Sequence, residues 1–301
     1  MKIIKYRKIF YCFSALLFAI SIWAISAYGL KPGIDFTGGS LLNVSYEGAT
    51  PTVGEVNDAL SVLDLGGISV RNAGDDSFII RTKEIDQSRK AGVMALLSIE
   101  GKYVPIEKEF NTVGPVLGIE AINKSYLSII LVLVAIILFI TFAFRKVSKP
   151  ISSWVYGGVA LVALAHDVII PTGIFAILGH FQGFEVDTLF VTALLVILGF
   201  SIHDTIVVFD RVRENLKISN DRGGKEEFEA IVGRSISETF TRSINTSVTT
   251  LLAIVVLYFF GPEATKHFAL TMGIGIIAGT YSSIFFGSPL LVTIQKWRNK
   301  V

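Results

Sequence analysis

Asp204 is the residue with which any chemistry in this chain has to begin. It lies inside an apolar run over residues 188–209, with His203 beside it and Ser201 and Thr205 one turn away. Asp210 and Arg211 close the run. Crossing a bilayer takes roughly 20 apolar residues, so this stretch is long enough to span. A carboxylate at that depth costs about 3 kcal/mol or more and faces protein or water. Gluing helices together needs no residue so costly to bury. A carboxyl that moves between an apolar and a cationic setting binds and releases a proton, and Asp204 is read as such a relay.

A candidate cation is Arg242, at the mouth of the next apolar run, residues 244–260. Asn245 and Thr246 follow three and four positions on, and Thr249 and Thr250 one turn further. That spacing puts polar groups on one side of a membrane helix, as a lining or contact face would. Arg242 is equally well an ordinary flanking charge, and both readings stand. His166 and Asp167 form a second intramembrane polar pair, four residues before Pro171, which should open the helical hydrogen-bond ladder there. Function and packing both account for that pair. His203 joins the proton-carrying candidates because imidazole titrates near neutrality, although a hydrogen-bonded interface histidine is the commoner case.

Other chemistries are excluded. The four histidines show no metal-ligand spacing, and the single cysteine, Cys12, allows no disulfide or CxxC site within the chain. No GxxxxGK[ST] loop occurs, so energy for any work must come from a gradient or a partner, and no cofactor is expected. The glycine-rich stretch 33–39 has a helix before it and a strand after it. A phosphate cradle needs the reverse order, so Gly33, Asp35, Gly38 and Gly39 are read as a shaped turn.

The elements that must position these groups follow from the composition. The 301 residues are 51% hydrophobic and only 17% charged, with a mean hydropathy of +0.61. Soluble domains carry about 25% charged residues, so the deficit points to a membrane. The first apolar run, residues 9–28, is about 20 long against the roughly 7–15 of a signal peptide core, and reads as an uncleaved helix. Charge returns over residues 30–125, where the patterns give a strand at 40–47, a helix at 51–63 with Thr52 and Glu55 as a capping box, a hairpin of 68–72 and 77–82, a helix at 86–100 and a strand at 104–112. That β-α-β-β-α-β order is ferredoxin-like. Five further apolar runs follow, at about 126–144, 154–178, 188–209, 244–260 and 267–294, the last with Gly273, Gly275 and Gly279 placed for close helix packing.

Lys and Arg orient the six spans. Lys2, Lys5, Arg7 and Lys8 fall on one side with Arg145, Lys146 and Lys149, with the seven basic residues from Arg211 to Arg242, and with Lys296, Arg298 and Lys300. The short loops on the other side, 179–186 and 261–266, hold only Lys266. The expectation is both termini in the cytoplasm. Residues 225–238 should form an amphipathic helix at the membrane surface within a long cytoplasmic loop, 211–242.

Four stretches together carry a likeness: GIDFTGG at 33–39, HDVII at 166–170, GFSIHDTIVVFDRVREN at 199–215 and RSINTSVTT at 242–250. They resemble the SecD/SecF family of protein-export membrane proteins, on its SecF side, within the RND superfamily. The resemblance implies a non-enzymatic, proton-driven subunit obligately paired with SecD. Such a subunit helps to pull preproteins across after SecYEG and the ATPase SecA have threaded them. It also implies that Asp204 and Arg242 belong to the proton pathway. Protonation of Asp204 would then break its attraction to Arg242. His203 stands where the family usually has asparagine.

The expected architecture is therefore an α-helical membrane protein, an RND-type half with a small α+β extracytoplasmic domain. Residues 1–29 would be the first transmembrane helix, 30–120 the ferredoxin-like domain and 121–301 a five-helix transmembrane domain, with Asp210 and the 33–39 turn serving conformation and packing. The setting would be the bacterial cell membrane, with unfolded preprotein on the outer side and no nucleic acid. An RND exporter of lipids or small molecules is one rival, and predicts a duplicated chain or a larger outer domain. A non-transporting translocon assembly subunit is the other.

Overall fold

The basic N-terminus opens a short helix, α1 (Lys2–Lys5), and the first apolar run folds as α2 (Arg7–Tyr28). The computed structural model describes residues 2–63, 65, 67–73, 76–145, 151–223 and 226–298. Lys146, Lys149, Lys225 and Lys300 lie outside them. The chain divides into two units, Pro32–Ser125 and the remainder, Met1–Lys31 with Tyr126–Val301.

Alternation of apolar and polar side chains builds the smaller unit. After a one-turn helix, α3 (Ile34–Thr37), come β1 (Gly39–Tyr46), α4 (Val53–Ser61), β2 (Ser69–Asn72), β3 (Ser77–Thr82), α5 (Gln87–Leu97) and β4 (Pro105–Val113). The sheet order is β2-β3-β1-β4 and every pair is antiparallel, which is the ferredoxin-like arrangement. Leu42, Val44 and Tyr46 of β1 and Phe78 and Ile80 of β3 share one face because strand side chains alternate. They pack against Val56 and Leu60 of α4 and Val93 and Leu97 of α5. Thr52 caps α4: its hydroxyl accepts from the Glu55 amide at 3.2 Å, and the Glu55 carboxylate accepts from the Thr52 amide at 2.8 Å. Two orphan donors of the first turn are thereby satisfied.

The larger unit is helical. With α2 it comprises α6 (Pro115–Ala143) from Tyr126 onward, α7 (Ser153–Gln182), α8 (Thr188–Asp221), α9 (Phe228–Phe260), α10 (Lys266–Tyr281), a six-residue π-helix (Ser282–Gly287) and α11 (Ser288–Arg298). Among the described residues six helical stretches are long and apolar enough to cross a membrane, the last running from Glu263 to Arg298. Small residues bring α8 and α10 together. A Cβ on Gly275 would fall 2.2 Å from the Ile197 side chain, and one on Gly279 would fall 3.0 Å from Ser201 Cβ. Phe144, Tyr156 and Phe209 form a buried aromatic cluster, with centroids 5.1 to 6.2 Å apart.

The expected loop at 211–242, with a separate surface helix at 225–238, is corrected. α8 continues to Asp221, and α9 is one helix from Phe228 to Phe260. The charged residues look like the end of each span, yet the apolar period runs through them. Val208, Phe209, Val212 and Leu216 pack on Phe228, Ile231, Val232 and Ile236 in the same core as the membrane helices. Arg211 spans Glu214 at 2.6 Å and Glu238 at 2.6 Å, fastening the two extensions. At the same end Glu229 of α9 accepts from Arg7 at 2.8 Å and also from Lys296 of α11.

Candidate functional site

Asp204 sits on the face of α8 that looks into the bundle and is 2% exposed. Its Oδ2 accepts from Ser247 Oγ of α9 at 3.4 Å, and Ser247 shares a 2.5 Å hydrogen bond with Thr280 Oγ1 of α10. The aspartate is thus tied through hydroxyls to two other helices.

Asp167 is the more heavily bonded carboxylate. It is wholly buried on α7, and its Oδ2 accepts from Ser201 of α8 and from Ser282, the first residue of the π-helix, the latter at 2.6 Å. Its Oδ1 lies 2.9 Å from His166 Nδ1. Pro171 does not end α7; the Thr172 hydroxyl donates to the Val168 carbonyl at 2.7 Å beside it. Ser201 lies one turn before Asp204 on α8, so the two carboxylates occupy neighbouring turns of one polar layer.

The other candidates are exposed. Arg242 is exposed on α9 with Asn245 and Thr249, and among the described residues no ion pair joins it to Asp204. The hydroxyls of Thr246, Thr249 and Thr250 donate back to carbonyls one turn earlier. The buried polar face of α9 is the one with Ser243 and Ser247. His203 is exposed on α8. Asp210 is exposed and pairs with Arg213 at 2.5 Å.

In the smaller unit the glycine-rich stretch is a wrapped turn. Gly33 precedes α3 in extended conformation, Asp35 is in its first turn, and the Thr37 hydroxyl donates to the Gly33 carbonyl. Gly38 and Gly39 have φ of 72° and 115°. A Cβ on Gly38 would meet Pro115 Cα at 2.7 Å, and one on Gly39 would meet the Thr82 carbonyl at 2.6 Å. Both positions require glycine for backbone and for space.

Sequence reasoning did not single out Ser282, a ligand of Asp167, or Thr280, which bonds the Asp204 ligand Ser247. Their signal is the TYSS run at 280–283, where polar residues interrupt an apolar span.

Residues 95–297 match the family described as protein export membrane protein SecD/SecF, C-terminal, and residues 23–50 match the SecD/SecF GG motif. The chain belongs to the SecD/SecF family. A protein translocase subunit SecF from Thermobaculum terrenum is 42% identical over 99% of this chain and 94% of its own length. One from Synechocystis is 37% identical over 99% and 96%. The crystal structure of SecDF, a translocon-associated membrane protein from Thermus thermophilus, superposes with a TM-score of 0.82 at 29% identity. It is matched over 99% of this chain and 39% of that longer one. A second SecDF structure, in a super-membrane-facing form, gives 0.64. The GG motif covers the turn with Gly38 and Gly39, and the C-terminal family region contains both buried aspartates. This multi-pass chain is thus on the SecF side of the family.

Proposed function

We propose that this chain, a SecF-type accessory subunit of the Sec protein translocase, uses the proton gradient together with SecD to promote preprotein translocation. The supporting observation is the setting of Asp204. It is buried, has no ion-pair partner among the described residues, and holds a long hydrogen bond to Ser247. A charge buried there is costly. Bringing a cation to it and placing a proton on it are the two ways to relieve that, and they define two states of a cycle. Arg242 is the cation this reading assigns, reaching Asp204 by movement of α9 against α8.

SecD is the obligate partner in this reading. The membrane stretches of α6 and α9 are mostly uncovered by the rest of the chain, and an exposed Arg242 in a membrane helix calls for cover other than lipid. The Lys and Arg bias supports cytoplasmic termini in a bacterial inner membrane, with the smaller unit outside, where unfolded preprotein emerges from SecYEG driven by SecA. One elementary charge crossing 100 mV supplies about 2.3 kcal/mol, so a few protons bias a two-state helix arrangement.

Asp204→Asn tests the assignment. The complex should still assemble with SecD, while proton flux in vesicles and gradient-dependent export should fall to the level of de-energised membranes. Undiminished export in an assembled complex would remove the relay.

A further inference from the structure

His166 is a buried imidazole with half of its polar chemistry unused. The residue is 2% exposed, and its Nε2 finds no hydrogen-bond partner among the described residues. The ring lies near-parallel to Phe286, 5.3 Å between centroids and 20° between planes, and to Tyr281 at 6.1 Å. Phe286 belongs to the π-helix and Tyr281 ends α10. Nδ1 faces Asp167 Oδ1 at 2.9 Å, and Asp167 Oδ2 already accepts two hydroxyls. A carboxylate surrounded by donors takes the Nδ1–H as a third donor, which leaves Nε2 as a bare lone pair in the neutral ring.

We propose that His166 is a second proton-carrying residue, charged and discharged against Asp167, and that Ser282 passes the change to the π-helix. This rests on the proton-driven reading above and extends it to α7. The proton, taken from water on the proton-rich side, bonds to the Nε2 lone pair. No covalent bond breaks, and the imidazolium formed balances the Asp167 carboxylate. Uptake converts a pair of net charge −1 into a neutral one, so the pull of Asp167 on the Ser282 hydroxyl weakens. π-Helical turns occur at functional sites and absorb register shifts. Here the turn carries both the Ser282 ligand and the Phe286 ring stacked on His166, so its movement shifts both contacts of the pair.

Few titratable groups surround the ring. Asp167 is on its own helix, Asp204 on α8 lies one turn beyond Ser201, Tyr281 is on α10, and Tyr11 on α2 meets Phe286 edge-on at 5.9 Å. Tyr281 is engaged with Ser14 and the Phe10 carbonyl.

The test uses the complex with SecD in vesicles. Proton flux is followed across a range of pH. The wild type should show a pH-dependent limb that His166→Gln lacks. In a chain with His180, His203 and His267 all replaced by Gln, isotope-edited infrared spectra should show one titrating ring, with its bands displaced by Ser282→Ala. A His166→Gln profile identical to the wild type, or a sole remaining ring that does not change protonation, would overturn the proposal. Undiminished flux in Asp204→Asn would instead remove the reading on which it rests.

Discussion

Ser282 donates to Asp167 at 2.6 Å across 115 positions of sequence. The bond joins the start of an irregular turn in the last span to the carboxylate of the third. Ser282→Ala removes one donor from a buried acceptor, a change that costs about 1–3 kcal/mol. The purified complex should melt earlier by a measurable margin, and Ser282→Thr should recover part of the loss. An unchanged melting temperature for Ser282→Ala would show that the bond contributes nothing.

Gly279→Val probes the α8–α10 contact. Its Cβ would stand 3.0 Å from Ser201 Cβ and 3.3 Å from Ser201 Oγ, with the two methyls beyond it. Overpacking of this kind costs about 1–3 kcal/mol, and here it pushes aside a ligand of Asp167. Reduced thermal stability together with reduced gradient-dependent export is expected. Gly158→Val makes a control, because a Cβ at Gly158 meets nothing within 4 Å.

Gly38→Ala bears on the GG motif. The residue combines φ 72° with ψ 173°, a region essentially confined to glycine, and a Cβ would strike Pro115 Cα. Strain of about 1–3 kcal/mol follows before the clash is counted. Limited proteolysis of the full chain should cut the Gly38→Ala variant sooner than Gly48→Ala. Gly48 also has positive φ, at 83°, but has open space around it.

Glu55 gives the smaller unit an acid-sensitive joint. The Thr52 amide, then its hydroxyl, then Lys102 hold the Glu55 carboxyl down at about 2. A group whose pKa is lower folded than unfolded stabilises fully above its ordinary value, about 4.3, and loses that contribution as pH falls toward its folded value. The stability difference between wild type and Glu55→Gln, from denaturant titrations of the full chain, should therefore be constant at neutral pH. It should shrink as pH drops below the ordinary carboxylate range. A difference that does not change down to about pH 2 would contradict the assignment.

The pattern of residues carried the small unit almost intact, for a physical reason. Thr52 and Glu55 advertise a helix start locally, and Leu42, Val44, Phe78 and Ile80 alternate as a half-buried sheet requires. β3 was legible to the residue. The extensions of α8 and α9 were not, because Arg211, Arg213 and Glu238 look like the water-facing end of a span. Only the partner stripe, Val212 and Leu216 against Ile231 and Val232, reveals that the helices continue together. At the candidate site Asp204 and Asp167 were conspicuous as acids in apolar runs. What they touch was not, since Ser247, Thr280 and Ser282 are small hydroxyl residues whose meaning depends on helices distant in sequence.

Glu229 lies between two cations drawn from opposite ends of the polypeptide, Arg7 near the beginning and Lys296 near the finish. Each link on its own is a half-exposed contact of small worth. Removing that one acid would nonetheless leave two like charges crowded together, so first and last helices would repel where they had been laced. A single neutral substitution there would loosen both extremities of the polypeptide at once, while leaving the buried aspartates untouched.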